Sequence, residues 1–119
     1  MKKTLILGAS TKPERFAYKA AFKLQDQGYE FVPLGLKEGN LFGVPILIGK
    51  PPLQNIHTIT LYVGPQHQAA WYDYLLELQA PRIIFNPGTE NAEFRELCLN
   101  QGMEALYACT LVMLATKQY

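Results

Sequence analysis

Short apolar runs that each end at a glycine or proline, separated by stretches with helical spacing, constrain this chain more than any other feature. Lys3 to Leu7 runs into Gly8, Tyr29 to Leu34 into Gly35, Thr58 to Val63 into Gly64-Pro65, and Arg82 to Phe85 into Asn86-Pro87-Gly88-Thr89. Between the first two, Ala17, Ala20, Ala21 and Leu24 recur at the interval of one helix face before Gly28 ends the segment. A second helix is predicted from about Gln66 to Leu78. A third runs from Glu90 to Asn100, with Phe94, Leu97 and Cys98 on one side and Gly102 at its end. Met103 to Tyr107 is the last candidate strand. Gly35 to Gly43 reads as a glycine-rich loop, Ile46 to Ile48 as a short extended piece, and Gly49 to Pro52 as a turn. Strands alternating with helices need parallel crossovers, and helices then cover both faces of one sheet. The expected architecture is α/β in three layers, with a mostly parallel sheet.

At 119 residues the chain has the common size of one domain, expected to span residues 1–119. The formal charge of +1, with 18% charged residues of both signs interspersed, lacks the basic excess of a general nucleic-acid or anionic-membrane binder. Any anion must then be held locally. The longest apolar runs, such as Cys109 to Ala115, fall short of the roughly 18 residues that span a bilayer, and Met1-Lys2-Lys3 leads directly into a strand pattern. Cys98 and Cys109 sit in apolar surroundings with no sign of a disulfide scaffold. The reading is a reduced, cytoplasmic protein that binds neither nucleic acid nor membrane. A homodimer or a further protein partner is left open.

In doubly wound sheets, ligands lie beyond the carboxyl ends of the strands where the strand order reverses. That geometry nominates Gly8 to Pro13, Gly35 to Asn40 and Gly64 to His67, with Asn86 to Thr89 beside them. The first loop enters a helix whose initial N–H groups lack intrahelical acceptors and carry the positive end of the dipole. Ser10 and Thr11 add hydroxyls, Thr11 with Glu14 has capping-box spacing, and Pro13 suits a first-turn position. Two readings follow: a phosphate cradle, or a well-capped helix start.

A dinucleotide fingerprint would have three glycines where this chain has Gly8 alone, and an acid after the second strand where it has Leu34-Gly35-Leu36-Lys37. Lys37, with Arg15 near the first helix turn, favours a ribose bearing an extra phosphate. Coenzyme A and NADP both carry one. A solvated Lys37 balanced by Glu38 is the plain alternative.

The stretches "LGASTKPERFAYKAAFKLQDQGYEFVPL", "FGVPI" and "FNPGTENAEFRELCLNQGMEALYACTLVML" resemble the small CoA-binding proteins related to the CoA-binding domain of the succinyl-CoA synthetase alpha subunit. The resemblance runs from about Leu5 to Leu114. Its most specific pieces are Gly8-Ala9-Ser10 with Pro13 and Arg15, Gly28-Tyr29, Pro87-Gly88, and Cys109 to Val112. It implies a single Rossmann-like domain and coenzyme A, free or acylated, as ligand. By the same resemblance Gly8, Ala9, Ser10 and Arg15, with Thr11 beside them, face phosphates. Gly35, Leu36 and Lys37 face the phosphorylated ribose and adenine, and Gly64, Pro65, Pro87 and Gly88 line the cleft. Family members commonly carry an Asn-Pro pair after the second strand, which this chain lacks. The synthetases also use a phosphorylated histidine on a further domain and a nucleotide-binding partner subunit.

Neither His57 nor His67 has a second histidine or a cysteine at metal-ligand spacing, so no metal site is expected. His67 falls near a nominated loop but equally suits a helix start. Cys98 reads as core, while Cys109 reads as packing or as a neighbour of the ligand thiol. Trp71, Tyr72 and Tyr74 read as core and surface aromatics or a self-association face. No nucleophile pairs with a base, so the expected function is binding of coenzyme A or acyl-CoA without ligase activity. An NADP-dependent oxidoreductase fragment and a ligand-free interaction protein are the alternatives.

Overall fold

The computed structural model describes residues 2–119. Its centre is three strands in which all four side chains are buried: β1 (Thr4–Leu7), β5 (Thr58–Leu61) and β6 (Arg82–Phe85). Such continuous burial, without alternation of wet and dry positions, marks strands covered on both faces. β2 (Phe31–Leu34) and β7 (Glu104–Tyr107) complete a parallel sheet in the order β2-β1-β5-β6-β7. The register aligns Leu34, Leu7, Leu61, Phe85 and Tyr107 in one row, so the outgoing loops leave from a common edge.

Side chains alternate between two cores. Leu5, Leu7, Ile59, Leu61, Ile83 and Phe85 pack with Leu75 of α2 (Tyr72–Glu77) and with Phe94 and Cys98 of α3 (Ala92–Asn100). Ile6 and Ile84 point the other way, to Ala17, Ala21 and Leu24 of α1 (Phe16–Asp26) and Leu114 of α4 (Thr110–Ala115). Phe94, fully buried, stacks on Tyr72 at 4.4 Å and meets Phe85 edge-on at 5.9 Å. The α/β architecture with a parallel sheet and helices on both faces is as the sequence implies.

Several local expectations change. The stretch expected as a loop forms a small antiparallel hairpin, β3 (Gly39–Leu41) and β4 (Val44–Ile46), turned by Phe42 and Gly43 with φ of 54° and 88°. Leu47, within the expected extended piece, bridges Leu34 and covers the outer edge of β2. The helix expected from Gln66 begins as two 3₁₀ turns, Pro65–His67 and Ala69–Trp71, and becomes α-helical only at Tyr72. α3 starts at Ala92, because the Asn91 side chain caps it by accepting from Phe94 N, while Glu90 bonds Gly88 N instead. The apolar run after Cys109 is α4, unforeseen because six residues are too few for a periodic signal.

The face toward α1 and α4 carries a buried polar row at the amino ends of the strands. Arg82, 6% exposed, donates from Nε to Thr58 Oγ1 at 2.9 Å and lies 4.5 Å from the Tyr119 ring. His57 shares a 2.8 Å hydrogen bond with Thr58 Oγ1 through Nδ1. Burial first, then repulsion from Arg82 and Lys2, against a smaller opposing pull from Glu104, hold the His57 pKa below its ordinary 6.5. The unfolded chain therefore takes up this proton at higher pH than the folded one, and stability is lost as pH falls below the unfolded value. The thermal midpoint should fall between about pH 7.5 and pH 5.5, and the decline should be shallower in His57→Gln. An unchanged slope in the variant would assign the effect to other groups.

Candidate functional site

The strand order reverses between β1 and β5, since β2 pairs with one side of β1 and β5 with the other. Loops leaving this point diverge and open a crevice. Here the crevice is narrowed by main-chain contact. Gly8 has φ +97°, and a Cβ on it would lie 2.9 Å from the Tyr62 carbonyl oxygen. A Cβ on Gly35 would lie 2.5 Å from the Ala9 carbonyl oxygen. The loop after β1 thus touches both neighbouring loops where no side chain fits. Above it lies a cleft of about 780 Å³, within the roughly 300–1,000 Å³ of small-molecule and cofactor sites.

The donors facing this cleft differ from those that the sequence suggests. The N–H groups of Gly8 and Ala9 both donate to the Leu34 carbonyl, at 2.9 and 3.1 Å, and are committed to the fold. The Ser10 and Thr11 amides have no acceptor among the described residues, and Ser10 Oγ accepts from Lys12 N at 3.1 Å. The capping-box reading is overturned. Pro13 and Glu14 lie in a turn before the helix, which begins at Phe16, and Arg15 is its N-cap in extended conformation with no side-chain cap bond. α1 also has no acid in its first turn. Its orphan amides and positive dipole end therefore open at the cleft beside Lys12, Arg15 and Lys37, against one carboxylate, Glu38. This donor set fits a ligand carrying several phosphates.

Gly8, Ala9, Ser10, Thr11, Arg15, Gly35, Leu36, Lys37, Gly64, Pro87 and Gly88 all line the cleft. Pro65 does not; it opens the 3₁₀ turn beyond the rim. Trp71 also lines it, an outcome its reading as a core or self-association residue missed. The signal lay in its position, about one helical turn after a nominated loop. His67 is on the rim and exposed. Cys109 is half-buried at the N-cap of α4 and is not part of the lining. Tyr62 contributes to the floor; burial, the largest influence, pushes its hydroxyl up to about 12, so it stays a neutral phenol. Burial likewise raises the Cys98 thiol to about 11, as befits a core residue. Among the described residues no cluster of His, Cys, Asp and Glu could hold a metal ion, and no helix is long and apolar enough to cross a membrane.

The model of the CoA binding domain family matches residues 2–115. The chain belongs to this family. Membership supports coenzyme A binding in general. Among solved structures, the chain is similar to a crystal structure of an uncharacterized protein at 46% identity and TM-score 0.97, covering 100% of this chain and 98% of that one. A Thermus thermophilus protein shares the fold at 20% identity and TM-score 0.87, over 99% and 90% of the two chains. A hypothetical protein from Pyrococcus horikoshii OT3 does so at 23% identity and TM-score 0.87, over 97% and 82%. No curated protein matches the sequence.

The close approach at Gly35 yields a direct test. Gly35→Ala places a methyl against a carbonyl oxygen and should destabilise the fold by about 1–3 kcal/mol in denaturant unfolding. Parent-like stability would mean that the Ala9 and Gly35 loops separate without cost.

Proposed function

We propose that this chain binds coenzyme A, free or acylated, along the cleft as a stand-alone cytoplasmic module without ligase activity of its own. The observation that carries the reading is the uncapped start of α1, with the free Ser10 and Thr11 amides beside Lys12, Arg15 and Lys37, in a chain of the CoA binding domain family. On this reading the cationic end receives the phosphates, and Gly35, Leu36 and Lys37 border the phosphorylated ribose and adenine. The opposite end is lined by Gly64, His67, Trp71, Pro87 and Gly88, with no Lys, Arg, Asp or Glu in its lining; the nearest such groups are the Lys50 ammonium, 5.3 Å over the Trp71 ring, and the Glu90 carboxylate, which accepts from Gly88 N at 2.9 Å. This end suits the uncharged pantetheine arm. A reducing compartment agrees with two free cysteines, one of them wholly buried.

A ligand that binds only the folded state raises stability by mass action. Coenzyme A should therefore raise the thermal midpoint more than NAD or NADP at equal concentration. Because Trp71 is the single tryptophan, its fluorescence should change as coenzyme A fills the cleft. Losing a hydrogen bond to a charged group costs about 1.5–3 kcal/mol, so Arg15→Ala should weaken coenzyme A binding by roughly one to two orders of magnitude. Affinity of the wild type should also fall more steeply with salt. A larger shift with NADP would favour the oxidoreductase alternative; no shift with any of the three would favour an interaction protein. Incubation with coenzyme A, ATP or GTP, and acetate or succinate should give no acyl-CoA above a protein-free control. Product that disappears in His67→Ala would make His67 catalytic.

A further inference from the structure

Gln68 is fully buried, although a glutamine at the junction of two 3₁₀ turns would ordinarily face water. Its amide is completely engaged. Nε2 donates to the Val63 carbonyl and to the Thr89 carbonyl, each at 2.8 Å, and Oε1 accepts from Asn91 Nδ2 at 3.0 Å. Both Nε2 contacts are carbonyl oxygens, so the amide orientation is fixed by chemistry. Val63 and Thr89 belong to the loops after β5 and β6, and both line the cleft. Beyond Leu61 and Phe85 the ladder between these strands stops. Among the described residues neither carbonyl receives a backbone hydrogen bond. The side chain of Gln68 thus replaces the missing rung. Asn91 extends the tie: its Nδ2 also reaches Tyr72 Oη at 2.8 Å, and its Oδ1 caps α3 through Phe94 N.

We infer that Gln68 is a positioning residue for the neutral end of the cleft, fixing the separation of the Val63 and Thr89 loops and thereby the fit of a ligand's uncharged arm. The inference rests on the coenzyme A reading for the identity of that arm. It assigns Gln68 no contact with ligand. A buried amide that satisfies two otherwise unpaired carbonyls is costly to replace, since an apolar side chain of similar length leaves both unsatisfied. The loops would then shift toward water or toward each other. The cationic end, built on the loops after β1 and β2, has no bond to Gln68.

Two ligands separate the ends. Coenzyme A spans both; adenosine 3′,5′-bisphosphate carries the adenine, the ribose, the 3′-phosphate and one of the two 5′-phosphates but lacks the arm. Gln68→Met should weaken coenzyme A about tenfold by calorimetry, while the affinity for adenosine 3′,5′-bisphosphate changes less than about twofold. Peptide-resolved hydrogen exchange of the unliganded protein should accelerate over residues 62–66 and 86–90 and not in β1 or α1. Gln68→Glu adds a readout that lost packing would not move. Its carboxylate faces two carbonyl oxygens at neutral pH, but once protonated it can donate to one, so coenzyme A affinity relative to wild type should recover as pH falls. If the glutamate variant does not fold, the methionine variant decides. Wild-type affinity for coenzyme A in Gln68→Met, or equal weakening of both ligands, would overturn the inference and leave the coenzyme A reading intact. Absence of coenzyme A binding by the wild type would instead defeat the reading on which both depend.

Discussion

Main-chain contact between the loop after β1 and the loops on either side of it governs the rest of the cleft. Gly8 lies against the Tyr62 carbonyl and Gly35 against the Ala9 carbonyl, so the three loops meet where a methyl group would not fit. The Leu34 carbonyl accepts from both Gly8 and Ala9, which locks the turn to β2 but removes those two amides from any anion. Donors for an anion are consequently displaced onto Ser10, Thr11 and the first turn of α1. A dinucleotide fingerprint would place further glycines there; this chain holds a serine, a threonine and a lysine before the helix begins at Phe16. One glycine is enough when the neighbouring strand supplies the second, at Gly35.

Behind the cleft, Asn86 performs the corresponding task with a side chain. Its Nδ2 donates to Thr60 Oγ1 and the Leu61 carbonyl, and its Oδ1 accepts from Thr110 N, so β5, β6 and the start of α4 are joined through one buried amide. Thr60 and Thr110 share a further 2.7 Å bond, which explains why β5 carries a threonine at position 60, facing α4. A buried hydroxyl without a partner would destabilise the sheet; one within a satisfied network orients it. Gln68 and Asn86 are alike in this respect. Each is an amide buried at the edge where parallel pairing ends, supplying bonds that the ladder no longer can.

Much of this fold was legible in sequence. The alanine and leucine spacing of α1, the β-branched run of β5, and the glycine or asparagine directly after β1, β2 and β6 correspond to physical requirements that leave a periodic or positional mark. The hairpin of β3 and β4 left little, because the first position of its turn is Phe42 at positive φ where asparagine or glycine is the readable signal, leaving Gly43 as the one mark, and its strands are three residues long. The start of α1 was misplaced because Thr11, Pro13 and Glu14 have the composition of a capped first turn. Their backbone instead forms a separate turn, and Arg15 stays extended. The loops of the cleft could be nominated from strand order alone. Gln68 could not, because polarity assigns it to water, whereas its burial is dictated by two carbonyls distant in sequence.

The cleft has two ends that differ in kind, and different forces would act on a ligand at each. Lys12, Arg15 and Lys37 are side chains on exposed loops, so their attraction for phosphate weakens as ions screen it. The walls at Trp71, Val63 and Thr89 act through shape and burial, which salt does not screen, but only if the two loops keep their spacing. Long-range charge would govern how readily a phosphorylated ligand arrives, and the neutral end how closely its arm is then held. Tyr62 at the floor belongs to the second regime. Its hydroxyl is buried beside Thr60, Thr110 and Cys109, none of which lines the cleft, and burial keeps it a neutral phenol, so Tyr62 lends the cleft neither a charge nor an exposed hydroxyl.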